Sequence, residues 1–216
     1  MINTRGFKNF DDWDDEDLEF DIKVPANIDD IYYLKQIKAR KLYLNCGIDS
    51  DSVQHYIQHI LQYNADDKDI PINERKPILF YLTSNGGSVD AGFQLIDLIK
   101  LSKTPIYTIN LGYQYSMGFL IGLAGYKRFA TPNSKFLLHD GQNFVYDSGS
   151  KVQDLMEFNK KVENRIKNYV LDRTKISADE FDKNLRVEWY MFADEAKENG
   201  CVDYIVGEDC ELADIL

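Results

Sequence analysis

Two strand, tight-turn, helix units stand one after the other in the middle of this 216-residue chain, and they leave few folds open to it. Ile78-Leu-Phe-Tyr-Leu-Thr83 is a short run of apolar and aromatic residues, the pattern of a buried strand. Ser84-Asn-Gly-Gly87 breaks the run with two glycines, which allow positive φ and close backbone approach. Val89, Phe93, Ile96 and Ile99 then follow at helical spacing. Pro105-Ile-Tyr-Thr-Ile-Asn-Leu111 repeats the strand signal, and an apolar helix rich in small residues starts at Ser116 and runs through Leu123. Strand, crossover helix, strand predicts parallel pairing with a right-handed connection, and hence an α/β fold. Ligands of such sheets gather beyond the carboxyl ends of the strands. Gly87 and Ser116 both fall there, at helix N-termini, where free N–H groups and the helix dipole favour negative charge.

Ser116 lies within Gly112-Tyr-Gln-Tyr-Ser-Met-Gly118, between Gly86-Gly87 upstream and His139 downstream. A serine is a weak nucleophile until a base removes its proton, and acyl transfer also needs N–H donors aimed at the developing oxyanion. These three features could supply all of that. Two of them also have a plainer reading: Ser116 as a helix N-cap and His139 as a polar residue at a strand end. His55 and His59 are four apart on a predicted helix, but no acidic or cysteine partner joins them in a metalloprotease pattern, so a solvated face is expected there.

The ordered blocks Tyr81-Leu-Thr-Ser-Asn-Gly-Gly-Ser-Val-Asp-Ala-Gly92, Tyr115-Ser-Met-Gly118, Lys127-Arg-Phe-Ala-Thr-Pro-Asn-Ser134, Leu138-His139 and Ala193-Asp-Glu-Ala-Lys-Glu-Asn-Gly200 resemble the proteolytic subunit of the Clp protease, ClpP, from about Arg40 to Val206. The resemblance implies a ClpP/crotonase-like spiral of βαβ units. It implies Ser116 as nucleophile, His139 as general base, and the backbone N–H groups of Gly87 and Met117 as oxyanion hole. The acid falls on Glu188, where the family has Asp, usually after Arg; this chain reads Val187-Glu188. Other hydrolases use Ser-His-Glu, although the extra methylene demands a different rotamer or a withdrawn backbone. Asn85 stands where the family's Ser-Pro-Gly-Gly turn has proline, and Asp140-Gly141 where Gln-Pro usually follows the histidine. Asp140 and Asp182 are the weaker alternatives for the acid.

Length and the 44% hydrophobic content suit one domain, which the resemblance makes a serine peptidase domain over residues 40–216. Residues 1–39 are expected to form an acidic, partly mobile segment. Asp11, Asp12, Asp14, Asp15, Glu16, Asp17, Glu19 and Asp21 face only Arg5 and Lys8 before position 22, which supplies more than half of the net charge of −11. That balance argues against nucleic acid as a partner. No apolar run approaches the roughly 20 residues of a membrane-spanning helix, and the acidic start lacks a signal peptide's pattern, so a cytoplasmic protein without a membrane partner is expected. Cys46, Cys201 and Cys210, without CxxC spacing, fit reduced thiols.

Past His139, Asn143 to Ser150 reads as an extended arm, and Val152, Leu155, Met156, Val162, Ile166, Tyr169 and Val170 mark a long helix after it. In ClpP this handle, here about 143–174, interlocks two heptameric rings into a tetradecamer. The resemblance therefore implies a homo-oligomer enclosing its active sites, a serine endopeptidase cutting unfolded polypeptide fed by an AAA+ unfoldase such as ClpX, ClpA or ClpC. No cofactor or metal is expected in this chain, ATP being used only by the unfoldase. Two other readings stay open: a degenerate, non-catalytic ring subunit, and a specialised processing protease of the phage-capsid kind. Acyl-CoA chemistry on the same fold would want no serine nucleophile.

Overall fold

The computed structural model describes residues 27–141 and 148–216. The acidic run before residue 27 and most of the expected arm lie outside the described residues. Lys35–Leu216 forms one compact unit, and Met1–Leu34 a second, of which residues 27–34 are described. The first helix, α1 (Ile28–Lys38), starts with Asn27 and Asp30 bonded reciprocally, each side chain accepting from the other's backbone N–H.

The centre is β2 (Ile78–Leu82), buried at every position. A strand with both faces covered reads as a continuous apolar run and belongs inside a parallel sheet. It pairs in parallel with β1 (Lys41–Leu44) on one side and β3 (Ile106–Asn110) on the other. β5 (Lys127–Ala130) and β8 (Tyr204–Ile205) extend the sheet, again in parallel, to the order β1-β2-β3-β5-β8. The expected crossover helix is α3 (Val89–Leu101), capped by Ser88, whose hydroxyl accepts from the Ala91 N–H. α2 (Ser50–Asp66) starts in a capping box between Asp49 and Ser52 and buries Val53, Ile60 and Tyr63. Phe80, Phe119, Phe136 and Phe181 are the largest side chains sealed in the core between these layers.

A second sheet was not foreseen. The segment read as a turn before Ser116 contains a strand, β4 (Tyr113–Tyr115), which pairs in parallel with β6 (Lys135–Leu138), and β6 pairs antiparallel with β7 (Trp189–Phe192). Its strands are three or four residues long, too short to show a period in the sequence. Buried Gln114 ties this sheet to the first by donating to the Leu82 carbonyl.

Helix α4 (Met117–Leu123) is buried throughout, and α5 (Gly149–Arg173) is the expected long helix at 25 residues. Of α5 only Tyr169 and Val170 are buried, the Tyr169 hydroxyl donating to the Leu120 carbonyl. α6 (Ala178–Asn184) starts at Ser177, whose hydroxyl accepts from the Glu180 N–H, and α7 (Ala193–Glu198) follows β7.

Candidate functional site

The short sheet explains how residues far apart in sequence meet. β4 and β6 run in parallel, so the residues just after them, Ser116 and His139, lie at the same end. β7 runs the other way, so the residue just before it, Glu188, lies at that end as well. Ser116, His139 and Gly87 line a single cleft of about 390 Å³, with Asn85 and Val89 on the same wall and α5 facing them through Asn159, Val162, Glu163 and Ile166. Met117, next in sequence to Ser116, is buried.

Ser116 is one of two non-glycine residues with positive φ among those described, at φ 53° and ψ −122°. Such a conformation costs on the order of 1–3 kcal/mol and persists only where the surroundings over-determine it. Here they do. The Ser116 N–H donates to the Leu137 carbonyl at 2.9 Å, joining the turn to β6, and Ser116 forms the sharp passage from β4 into α4. A serine on a strained strand-to-helix turn projects its hydroxyl clear of the backbone, the geometry of a nucleophile elbow. Its hydroxyl caps nothing, so the N-cap role does not explain the residue.

The glycine pair closes against this turn. Gly86 has φ +96°, and a Cβ there would lie 2.7 Å from the Ser116 Cβ. Gly87 has φ +147°, and a Cβ there would lie 2.2 Å from the Ile48 carbonyl oxygen. The loop is pinned by Ile48, whose N–H donates to the Gly86 carbonyl and whose carbonyl accepts from Ser88, and by Ser84, whose hydroxyl accepts from the Gly86 N–H. Among the described residues, neither the Gly87 nor the Met117 N–H has a hydrogen-bond acceptor in the protein. Two fixed donors beside a serine hydroxyl are what a developing oxyanion needs.

The Glu188 carboxylate is less closely set. Glu188 Oε1 lies 3.7 Å from His139 Nδ1, beyond hydrogen-bond range and short enough for an ion pair once the imidazole is protonated. The other oxygen, Oε2, accepts a 2.6 Å hydrogen bond from the Tyr190 hydroxyl, which holds that phenol above its ordinary pKa. Tyr190 was not singled out in the sequence. It lies in β7, two residues on from Glu188, and its ring makes an edge-to-face contact with Tyr115. The alternatives fare differently: the Asp140 N–H donates to the Leu185 carbonyl while its side chain is exposed, and Asp182 is paired with Lys167 at 2.6 Å.

His55 and His59 do face one another on α2, Nε2 to Nε2 at 3.3 Å, and burial followed by the proximity of His55 lowers the His59 pKa. No group of three or more His, Cys, Asp or Glu side chains suited to a metal occurs among the described residues. The three cysteines are unpaired with one another, and burial pushes the Cys201 thiol up to about 12, away from nucleophilic use. No helix among the described residues is long and apolar enough to cross a membrane.

Comparison with known proteins agrees with the ordered blocks. The family described as Clp protease matches residues 26–209. The ATP-dependent Clp protease proteolytic subunit 2 of Treponema pallidum (strain Nichols) is 25% identical over 184 residues, covering 84% of this chain and 89% of its own. The ATP-dependent Clp protease proteolytic subunit 1 of Bacillus cereus (strain ATCC 10987 / NRS 248) is 29% identical over 176 residues, covering 81% and 88%. With its mixed α/β architecture and a match over most of its length, the chain belongs to the Clp protease family.

Proposed function

We propose that the chain is a catalytically competent serine endopeptidase, with Ser116 as nucleophile, His139 as base, Glu188 as the orienting acid and the Gly87 and Met117 N–H groups as oxyanion donors. The observation that carries this reading is the strained turn at Ser116, opening on a cleft shared with His139 and Gly87. His139 takes the Ser116 proton as the hydroxyl oxygen attacks the scissile carbonyl carbon. The carbonyl π electrons move onto oxygen, where the two backbone donors receive the charge. Collapse of this tetrahedral species expels the amine, which leaves with the proton returned by His139, and an acyl-Ser116 ester remains. Water, deprotonated by His139, then releases the acid product and restores the serine. Glu188 stabilises the imidazolium in both halves once its carboxylate closes the remaining gap.

Assembly into stacked heptameric rings, as a tetradecamer fed with unfolded polypeptide by an AAA+ unfoldase, is part of the same proposal. It is supported by the first half of α5, where Leu155, Met156 and Phe158 are exposed at 43%, 55% and 57%. Apolar residues of that size along one helix match an interface between copies. The 3.7 Å separation at Glu188 favours a second reading, a ring subunit without turnover. Covalent labelling of Ser116 by a fluorophosphonate separates the two: an adduct supports the peptidase, and its absence from assembled protein supports the inert subunit.

A further inference from the structure

The wall of the cleft opposite Ser116 is a single helical stripe, Asn159, Val162, Glu163 and Ile166, spaced so that all four share one side of α5. Val162 and Ile166 are half-buried, and Glu163 is exposed. The wall thus has an apolar floor with a carboxylate and an amide beside it. Among the described residues that line this cleft, Glu163 is the one carboxylate. Neither Asn159 nor Glu163 lacks other partners in the fold, but an ionised carboxylate has about four acceptor sites and can hold one donor while receiving another.

We propose that this cleft selects a lysine or arginine side chain on the residue whose carbonyl Ser116 attacks. The proposal rests on the reading of Ser116 as nucleophile. The cleft is continuous with Ser116 and Gly87, where that carbonyl must sit, so the side chain of the same residue is the part of the substrate nearest to α5. Lysine and arginine lay methylene stems on apolar surface and carry the charge at the tip. Val162 and Ile166 offer the surface, and Glu163 with Asn159 offers acceptors for the tip. A volume of about 390 Å³ lies at the low end for ligand pockets, suited to one long side chain rather than several residues. An acidic side chain at the same position would meet Glu163 as a like charge, which works against such substrates.

The test uses the assembled full-length protein and two kinds of peptide. Fluorogenic peptides differing only in the residue before the cleaved bond should show higher kcat/KM for Arg than for Leu, and least for Glu. Glu163→Gln should narrow the Arg-to-Leu ratio by about fivefold, the worth of a partly exposed ion pair. Glu163→Lys should turn the preference towards Glu, and rising salt should erode the wild-type preference. In parallel, short peptides ending in a free C-terminal Arg or Leu are titrated by fluorescence anisotropy, which needs no turnover. Tighter binding of the Arg peptide, lost in Glu163→Gln, supports the cleft's preference for a basic side chain; if in addition no peptide is cleaved, the peptidase reading falls and that binding preference alone stands. Cleavage or binding with an Arg-to-Leu ratio that Glu163→Gln leaves unmoved overturns the inference and leaves the peptidase reading standing.

Discussion

At the scale of single residues, Ser116 is held in its strained conformation by groups that the sequence displays only in part. The glycine pair and the Ser-Met-Gly turn could be read directly, because only glycine tolerates the approach that Gly86 makes to the Ser116 Cβ. Tyr190 could not. An aromatic residue in a short strand carries no mark that its hydroxyl will donate to a carboxylate two residues away. That contact bears on the role proposed for Glu188, since more than half of its side chain is exposed and the Tyr190 bond restrains it. Tyr190→Phe should lower kcat several-fold with little change in KM, because the carboxylate then samples positions away from His139. Glu188→Gln should cost far more, up to about ten-thousand-fold in kcat with assembly intact, since the imidazolium loses its counter-charge. Steady-state kinetics of both variants decide the matter. A Glu188→Gln enzyme as active as the wild type would remove Glu188 from the mechanism.

The elements divide by length. β2 was legible because a strand buried on both faces has nowhere to place polar residues, and α3 and α5 were legible because their periods run over several turns. The β4-β6-β7 sheet was not, although it brings Ser116, His139 and Glu188 to one end; its strands are held by partners remote in sequence rather than by any local pattern. A second device hidden from sequence is the junction of α2 with the central sheet. Arg40, just before β1, has φ 63° and forms a two-pronged pair with Asp67 at 2.6 and 2.5 Å. Thr104 donates to the same carboxylate at 2.7 Å, and the Asp67 side chain is 1% exposed. The Arg40 hydrogen bonds, with help from Thr104, hold the Asp67 carboxyl below its ordinary pKa. Asp67→Asn should therefore destabilise the fold by about 3 kcal/mol, since it strands a largely buried guanidinium. A carboxyl with a depressed native pKa contributes in full above the unfolded value of about 3.9, and that contribution fades as pH falls through the lower native value. Denaturant midpoints should thus differ widely between wild type and Asp67→Asn at pH 7 and converge on acidification. A gap that stays constant down to acid pH would contradict this account of the pair.

At the scale of the whole molecule, α5 carries apolar surface that the other described residues leave exposed. Leu155 and Met156 were legible as part of a helical stripe and Phe158 was not singled out, and a stripe does not say whether the chain's own core or another copy covers it. In the described residues its N-terminal half is not covered, which is why assembly enters the proposed function. Native mass spectrometry at micromolar concentration should find the wild type as a large oligomer and the double replacement of Leu155 and Phe158 by Asp as smaller species, with circular dichroism unchanged. Wild-type protein that is monomeric under those conditions would overturn the ring proposal without touching the fold.

The central claim is that Ser116 is an activated nucleophile, and the most direct measurement is mass mapping after exposure of the assembled protein to a fluorophosphonate. The account predicts one adduct, on Ser116, formed at a rate that His139→Ala reduces by orders of magnitude because the serine then loses its base. Assembled wild-type protein that acquires no adduct at Ser116, or acquires it equally fast without His139, would contradict it.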